Sequence, residues 1–225
     1  MKKHAARPFT LVEMIVVMGV IMLMAVIAAP AYSSLFSGRK TTLAANMLNA
    51  AVLEARAHAV SSKVYTAIVF VPDQEKVNGS TVYRSFRLAE VYHNPDTNNT
   101  TYKWRRWVPD STFVILPDNT LIPDANKDFG RTPDGKMNTS IGTSTPYKVK
   151  NVPHNDFPGS SKSSETSDEK SIIIKPSGQL ASENNIVVRF VEANRYKASS
   201  AKAPRLPLNI SWLTCKSKFL PATEK

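Results

Sequence analysis

The chain opens on a basic, polar stretch and then turns apolar. From Met14 to Ala31 no side chain is charged or strongly polar. A helix from Phe9 to Ala29 would be ~30 Å long at ~1.5 Å per residue, enough to span a hydrocarbon core. The helical pattern continues beyond it. Ser33 to Ser62 contains no proline and a lone glycine, Gly38, and Leu48, Val52, Ala55 and Ala59 fall on one helix face. Arg39, Lys40, Asn46, Glu54 and Arg56 lie around that stripe.

After Ser62 the period changes from helix to strand. Val64–Val71 is β-branched and aromatic and stops at Pro72-Asp73. Thr81–Tyr92 and Thr101–Val108 flank a turn-rich HNPDTNNT and predict a hairpin. Asp118 to Lys170 is rich in Pro, Asn, Asp, Ser, Thr and Gly with little periodicity, and reads as an insert. Strand character returns at Ser171–Lys175, before the turn Pro176-Ser177-Gly178. Two further runs alternate, one with Ile186, Val188 and Phe190 on a face, the other with Leu208, Ile210 and Trp212. Period 2 with one apolar face predicts antiparallel strands packed on one side. The expected fold class is α+β, with a long N-terminal helix packed on an antiparallel sheet. The expected division is 1–8, 9–31 (membrane half of the helix), 32–62 (second half of the helix) and 63–225 (β-rich domain with an insert at about 118–170).

Composition narrows this only a little. Hydrophobic residues make up 42% and charged residues 21% of the 225, which excludes a wholly disordered chain. The net charge of +11 admits nucleic acid, acidic membranes or acidic proteins as partners. Cys215 is the lone cysteine, so no internal disulfide can form. It reads as a small residue of a strand.

Glu13 interrupts the apolar segment. A carboxylate inside a membrane helix costs about 2.5–3.5 kcal/mol on insertion scales and calls for a partner. No basic residue follows within the apolar run. A cut before Phe9 would create an α-amine four residues ahead of Glu13, and a neighbouring copy's amine could neutralise the carboxylate.

The stretch FTLVEMIVV, Phe9 to Val17, resembles the N-terminal signature of type IV prepilins and type II secretion pseudopilins. The resemblance implies a leader Met1–Pro8 removed by a prepilin peptidase between Pro8 and Phe9. It also implies N-methylation of Phe9, an assembly role for Glu13 and a helix-kinking Pro30. This chain has Pro8 where the family normally has glycine. The order of elements, with LEARAHAVSSKVYTAIVF on the helix and IIIKPSGQL later, resembles the H-type (GspH) minor pseudopilins and the FimT-type minor pilins. That likeness implies a structural subunit of a secretion pseudopilus or pilus-like filament. Its partners would be other pilins, the peptidase, an inner-membrane assembly platform and lipid. It would sit as a single-pass protein of the bacterial inner membrane, with a cytoplasmic N-terminus and a periplasmic C-terminal domain.

Other chemistry is weaker. Asp124, Asn126 and Asp128 alternate as hard oxygen ligands can around Ca²⁺, but Gly130 is one place late for an EF-type loop and no glutamate closes it. A solvated turn is the preferred reading, and no metal or cofactor is expected. YKWRRW, Tyr102 to Trp107, interleaves aromatics with cations as single-strand nucleic-acid binders do. Strict alternation would put Tyr102, Trp104 and Arg106 on one face and Lys103, Arg105 and Trp107 on the other, leaving no clean basic face. The C-terminal region is basic, and Arg189, Arg195, Lys197, Lys202 and Arg205 are a candidate DNA-binding set, the alternative function. His4, His58, His93 and His154 are scattered, and no nucleotide-binding or hydrolase motif is present, so no enzyme activity is expected.

Overall fold

The structure, a computed structural model, describes residues 10–94, 101–124, 148–158, 166–182, 185–199 and 203–219. Side chains 27–38 lie outside that description, and so does any statement about the side chain of Pro30. Helix α1 spans Leu11–Ser62 and includes position 30. The chain divides into two compact units with their boundary inside this helix, between Arg39 and Lys40.

In the first unit, every described side chain from Leu11 to Val26 is exposed. Among the described residues no helix is long and apolar enough to cross a membrane. The described apolar stretch, 11–26, falls short of the ~20 residues a bilayer core requires, and Ile27 to Ala31 lie beyond it.

In the second unit α1 presents Ala44, Ala45, Leu48, Val52, Ala55 and Ala59, all fully buried. This is the stripe expected from the sequence. Most of its side chains are short, so the sheet can approach the helix backbone closely. The helix ends at Lys63, whose φ of 56° is the left-handed conformation common just past a helix C-terminus.

Five strands form a closed ring: β1 (Tyr65–Pro72), β2 (Val82–Asn94), β3 (Thr101–Trp107), β6 (Lys148–Pro153) and β7 (Thr166–Ile174). The pairing runs β1–β7–β6–β3–β2 and returns from β2 to β1. The ring encloses Ala67, Val69, Ala89, Val91, Tyr102, Val149 and Ile173. The opposite faces of β1, β2 and β7 meet α1 through Ile68, Phe70, Phe86, Leu88, Ile172 and Ile174. The two-residue β4 (Val114–Ile115) also pairs with β2. From β2 the sheet continues through β5 (Thr120–Pro123), β8 (Ile186–Glu192), β9 (Arg205–Ile210) and β10 (Ser217–Phe219). Ile186, Val188, Phe190, Leu208 and Ile210 complete the core beneath α1. A short helix, α2 (Ala193–Ala198), places Tyr196 in a third cluster with Val77, Val82, Leu121 and Val191.

The α+β class holds, but four expectations change. The sheet is mixed, because β3 and β6 are parallel. Ring closure buries both faces of β1, whose Ala67 to Val71 are all buried, so packing is not one-sided. Asp118–Lys170 is not wholly an insert, since it supplies β5, β6 and the first residues of β7. Trp212 does not continue the β9 alternation; it lies in a turn, partly exposed, while Leu208 and Ile210 are buried.

Candidate functional site

Among the described residues, two places bring polar chemistry to otherwise apolar elements: the start of α1 and the outward side of β2 and β3.

At the start of α1, Thr10 and Glu13 bind each other. The Thr10 backbone N–H donates to Glu13 Oε2 at 2.9 Å, and the Thr10 hydroxyl donates to the same oxygen at 3.0 Å. The Glu13 N–H lies 3.2 Å from Thr10 Oγ1 and donates to it. This is a capping box of the form T-x-x-E, in which two otherwise unpaired backbone donors are satisfied reciprocally. Glu13 therefore has a local partner that is not a base. The signal is readable in the sequence, since threonine stands three residues before it. Pro8 and Phe9 lie outside the described residues.

On the outward side of β2, Glu90 is 1% exposed. It accepts two hydrogen bonds from Arg106, Nε to Oε2 at 2.8 Å and Nη2 to Oε1 at 2.9 Å. Arg105 Nη1 stands 3.6 Å from Oε2, and His58 Nε2 of α1 is 3.2 Å from Oε1. The Arg106 fork holds the Glu90 carboxyl below its usual range, outweighing the cost of burial. His58 is thus the α1 side of a hydrogen-bonded tie between helix and ring.

A bulge makes this tie. Glu90 pairs with Arg106, but the next residue, Val91, pairs with Trp104, so Arg105 is the extra residue on β3. Parity inverts there. Tyr102 and Trp104 face the ring interior, and so does Trp107, packed against Phe113. Lys103, Arg105 and Arg106 all face outward and are exposed. The expected strict alternation of YKWRRW is therefore incorrect, and with it the conclusion that no basic face forms. Periodicity cannot reveal a bulge, because it depends on the partner strand's register.

The C-terminal candidates are only partly gathered. Arg189 on β8 and Arg205 on β9 are half-buried and share a face, since Val191 pairs with Arg205. Arg195 on α2 is engaged by Glu192, with Nε 3.0 Å from Oε2. Lys197 is exposed on α2, and Lys202 lies outside the described residues. Of the calcium candidates, Asp124 forms an ion pair with Lys170, while Asn126 and Asp128 lie outside the described residues. No group of metal-ligating side chains occurs among the described residues.

Two further groups are placed by the fold. Cys215 lies just after the turn at 212–214, not in a strand, with φ 52°. Its thiol donates to the Gly178 carbonyl at 3.3 Å, and burial pushes its pKa up to about 11, which makes it a poor nucleophile. Ser167 bridges His154 and Glu169 at one end of the ring, and burial raises the Glu169 carboxyl. There the serine hydroxyl donates to the glutamate rather than to the imidazole, which is not the order of a nucleophilic triad.

No family model matches the sequence, and no curated protein matches it. Among solved structures, the chain is similar to the type IV minor pilin FimU of Pseudomonas aeruginosa, with 11% identity and a TM-score of 0.42 over 83% of this chain and 92% of that one. It is also similar to the minor pseudopilin EpsH of the Vibrio cholerae type II secretion system. There the identity is 10% and the TM-score 0.43, covering 83% of this chain and 97% of that one. A second EpsH structure gives 10% identity and a TM-score of 0.38. With TM-scores below 0.5, these likenesses do not by themselves assign a role to the chain.

Proposed function

We propose that this chain is a minor pilin-like structural subunit, of the H-type pseudopilin or FimT-type class, that enters a secretion pseudopilus or pilus-like filament. The observation that carries this reading is the Phe9–Glu13 motif at the start of a 52-residue helix whose later turns pack on a sheet. In this reading Met1–Pro8 is a leader, and cleavage between Pro8 and Phe9 exposes an amine that is methylated. Phe9 to Ala31 anchors the chain in the inner membrane before assembly, with the β-rich domain on the periplasmic side. The exposed apolar side chains of Leu11 to Val26 support burial in lipid or among neighbouring helices. Partners would be other pilins, the prepilin peptidase, the assembly platform and lipid.

Glu13 would first cap its own helix through Thr10 and then exchange that contact for the amine of a neighbouring subunit. The exchange is favoured in lipid because a charge pair there replaces hydrogen bonds to neutral donors. Mass spectrometry of the protein from its own membranes tests the first step. A chain beginning at N-methylated Phe9 is expected; one retaining Met1 would overturn the pairing. Glu13→Ala should abolish co-purification with other filament subunits while leaving membrane association intact.

A further inference from the structure

We infer that the outward face of β3 and β6 is a binding surface for an extended single-stranded nucleic acid. The inference goes beyond the filament reading and does not depend on it. Its basis is the bulge at Arg105, which sends Lys103, Arg105 and Arg106 to one side.

The parallel partner β6 extends that side. Lys103 is in register with Lys150, and Tyr102 with Val149. Val149 is buried inside the ring, so Lys148 and Lys150 point outward by alternation. Like charges on directly neighbouring strand positions oppose sheet pairing unless something outside compensates them. Lys103, Lys148 and Lys150 make no hydrogen bond or ion pair among the described residues. Carboxylates balance the group only in part. Glu90 is buried beneath Arg105 and Arg106 and already holds both. Glu169 acts on Lys148 from the buried side, Asp124 is taken up by Lys170, and Asp168, exposed on β7 beside Lys150, offsets one of the three lysines.

The spacing and the aromatic content select the partner. Alternate cations along a strand are ~6.6 Å apart and neighbouring strands ~4.8 Å apart, so the face is a narrow double row. Such a row follows a single extended backbone better than it follows a broad duplex. Tyr92 on β2 is 55% exposed, and the Arg105 guanidinium lies over its ring at 5.3 Å. A ring beside a cationic track is a platform on which a base stacks while its phosphates meet the lysines. A second copy of this chain is a poor partner, because its own charge is +11.

The test uses the full chain in detergent micelles and a fluorescent oligothymidylate of roughly 12 nucleotides, within the range of common single-strand sites. Anisotropy at about 50 mM salt should show binding that weakens as salt rises. The combined variant Lys103→Gln, Lys148→Gln, Lys150→Gln should raise Kd at least about tenfold and lower the salt slope by about 2, for three lost phosphate contacts. Lys103→Gln alone, the milder change should the triple variant unfold, should raise Kd about two- to threefold, for one such contact. Tyr92→Ala should raise Kd about fivefold or more through lost stacking. The pair Arg195→Gln, Lys197→Gln should leave Kd unchanged. Absence of binding by the unaltered chain would overturn the proposal. So would wild-type affinity in the folded lysine variant, or a loss confined to the α2 pair. Displacement by polyglutamate of equal charge, together with an inert Tyr92→Ala, would assign the face to an acidic protein instead and equally overturn it.

Discussion

Glu90 shows how much depends on one residue. Its carboxylate is buried, while Arg106, which holds it, is 58% exposed along its side chain. Removing the acid lets the arginines return to water; removing Arg106 leaves a buried charge with weaker partners. Arg106→Ala should therefore lower stability, because a buried acceptor is left under-satisfied. Lys103→Ala, close to the tie on the same strand, should change it by no more than about 0.5 kcal/mol. Urea denaturation midpoints would separate the two. The sequence shows both arginines but not which one grips the acid, because that depends on a bulge set by strand register. At Glu13 the reverse holds. The capping box is written in Thr10-Leu11-Val12-Glu13 and needs no tertiary structure to form.

At the scale of elements, α1 and the Lys175–Gln179 turn meet closely. Gly178 has φ 79°, and a Cβ there would stand 3.1 Å from Arg56 Nε and 3.1 Å from Val60 Cγ2. The neighbouring turn residue Thr214 is held to the same helix, since Arg56 Nη1 donates to its carbonyl at 2.5 Å. Gly178→Ala combines a left-handed backbone with this crowding and should cost at least about 1–2 kcal/mol. A thermal melt would check it, with Ser177→Ala as a nearly neutral control. The helix stripe Leu48, Val52, Ala55, Ala59 was legible because period 3.6 reflects local geometry alone. The strands β5 and β6 were not, because each is short, β5 is buried at every position, the Lys148-Val149-Lys150 alternation of β6 is only three residues long, and both are held by their neighbours rather than by their own propensity.

Across the whole molecule, two buried acids give opposite pH dependences. Arg106 first, then His58, lower the Glu90 pKa against the cost of burial. Its stabilisation is present above the unfolded-state pKa and fades as pH falls through the lowered folded value. Glu169 is raised, chiefly by burial and against its hydrogen bond from Ser167. Its contribution is full below the unfolded pKa and fades as pH rises through the raised folded value. Glu169→Gln should therefore match the unaltered chain in acid and exceed it near neutrality. The gain should read as a few degrees in Tm, at about 2–4 °C per kcal/mol for a chain of this size. Equal Tm differences at pH 4 and pH 7 would contradict the assignment. Glu90→Gln should show the opposite trend, losing most near neutrality.

By itself the sequence determined the long helix, its buried stripe, the β2–β3 hairpin and the Phe9–Glu13 motif, because these rest on local periodicity and on residues close together in the chain. Only the tertiary structure decided the closure of β1, β2, β3, β6 and β7 into a ring, the parallel pairing of β3 with β6, and the outward turn of Lys103, Arg105 and Arg106. Strand partners are chosen by surfaces far apart in the chain, and a one-residue bulge exchanges the faces of every strand residue beyond it.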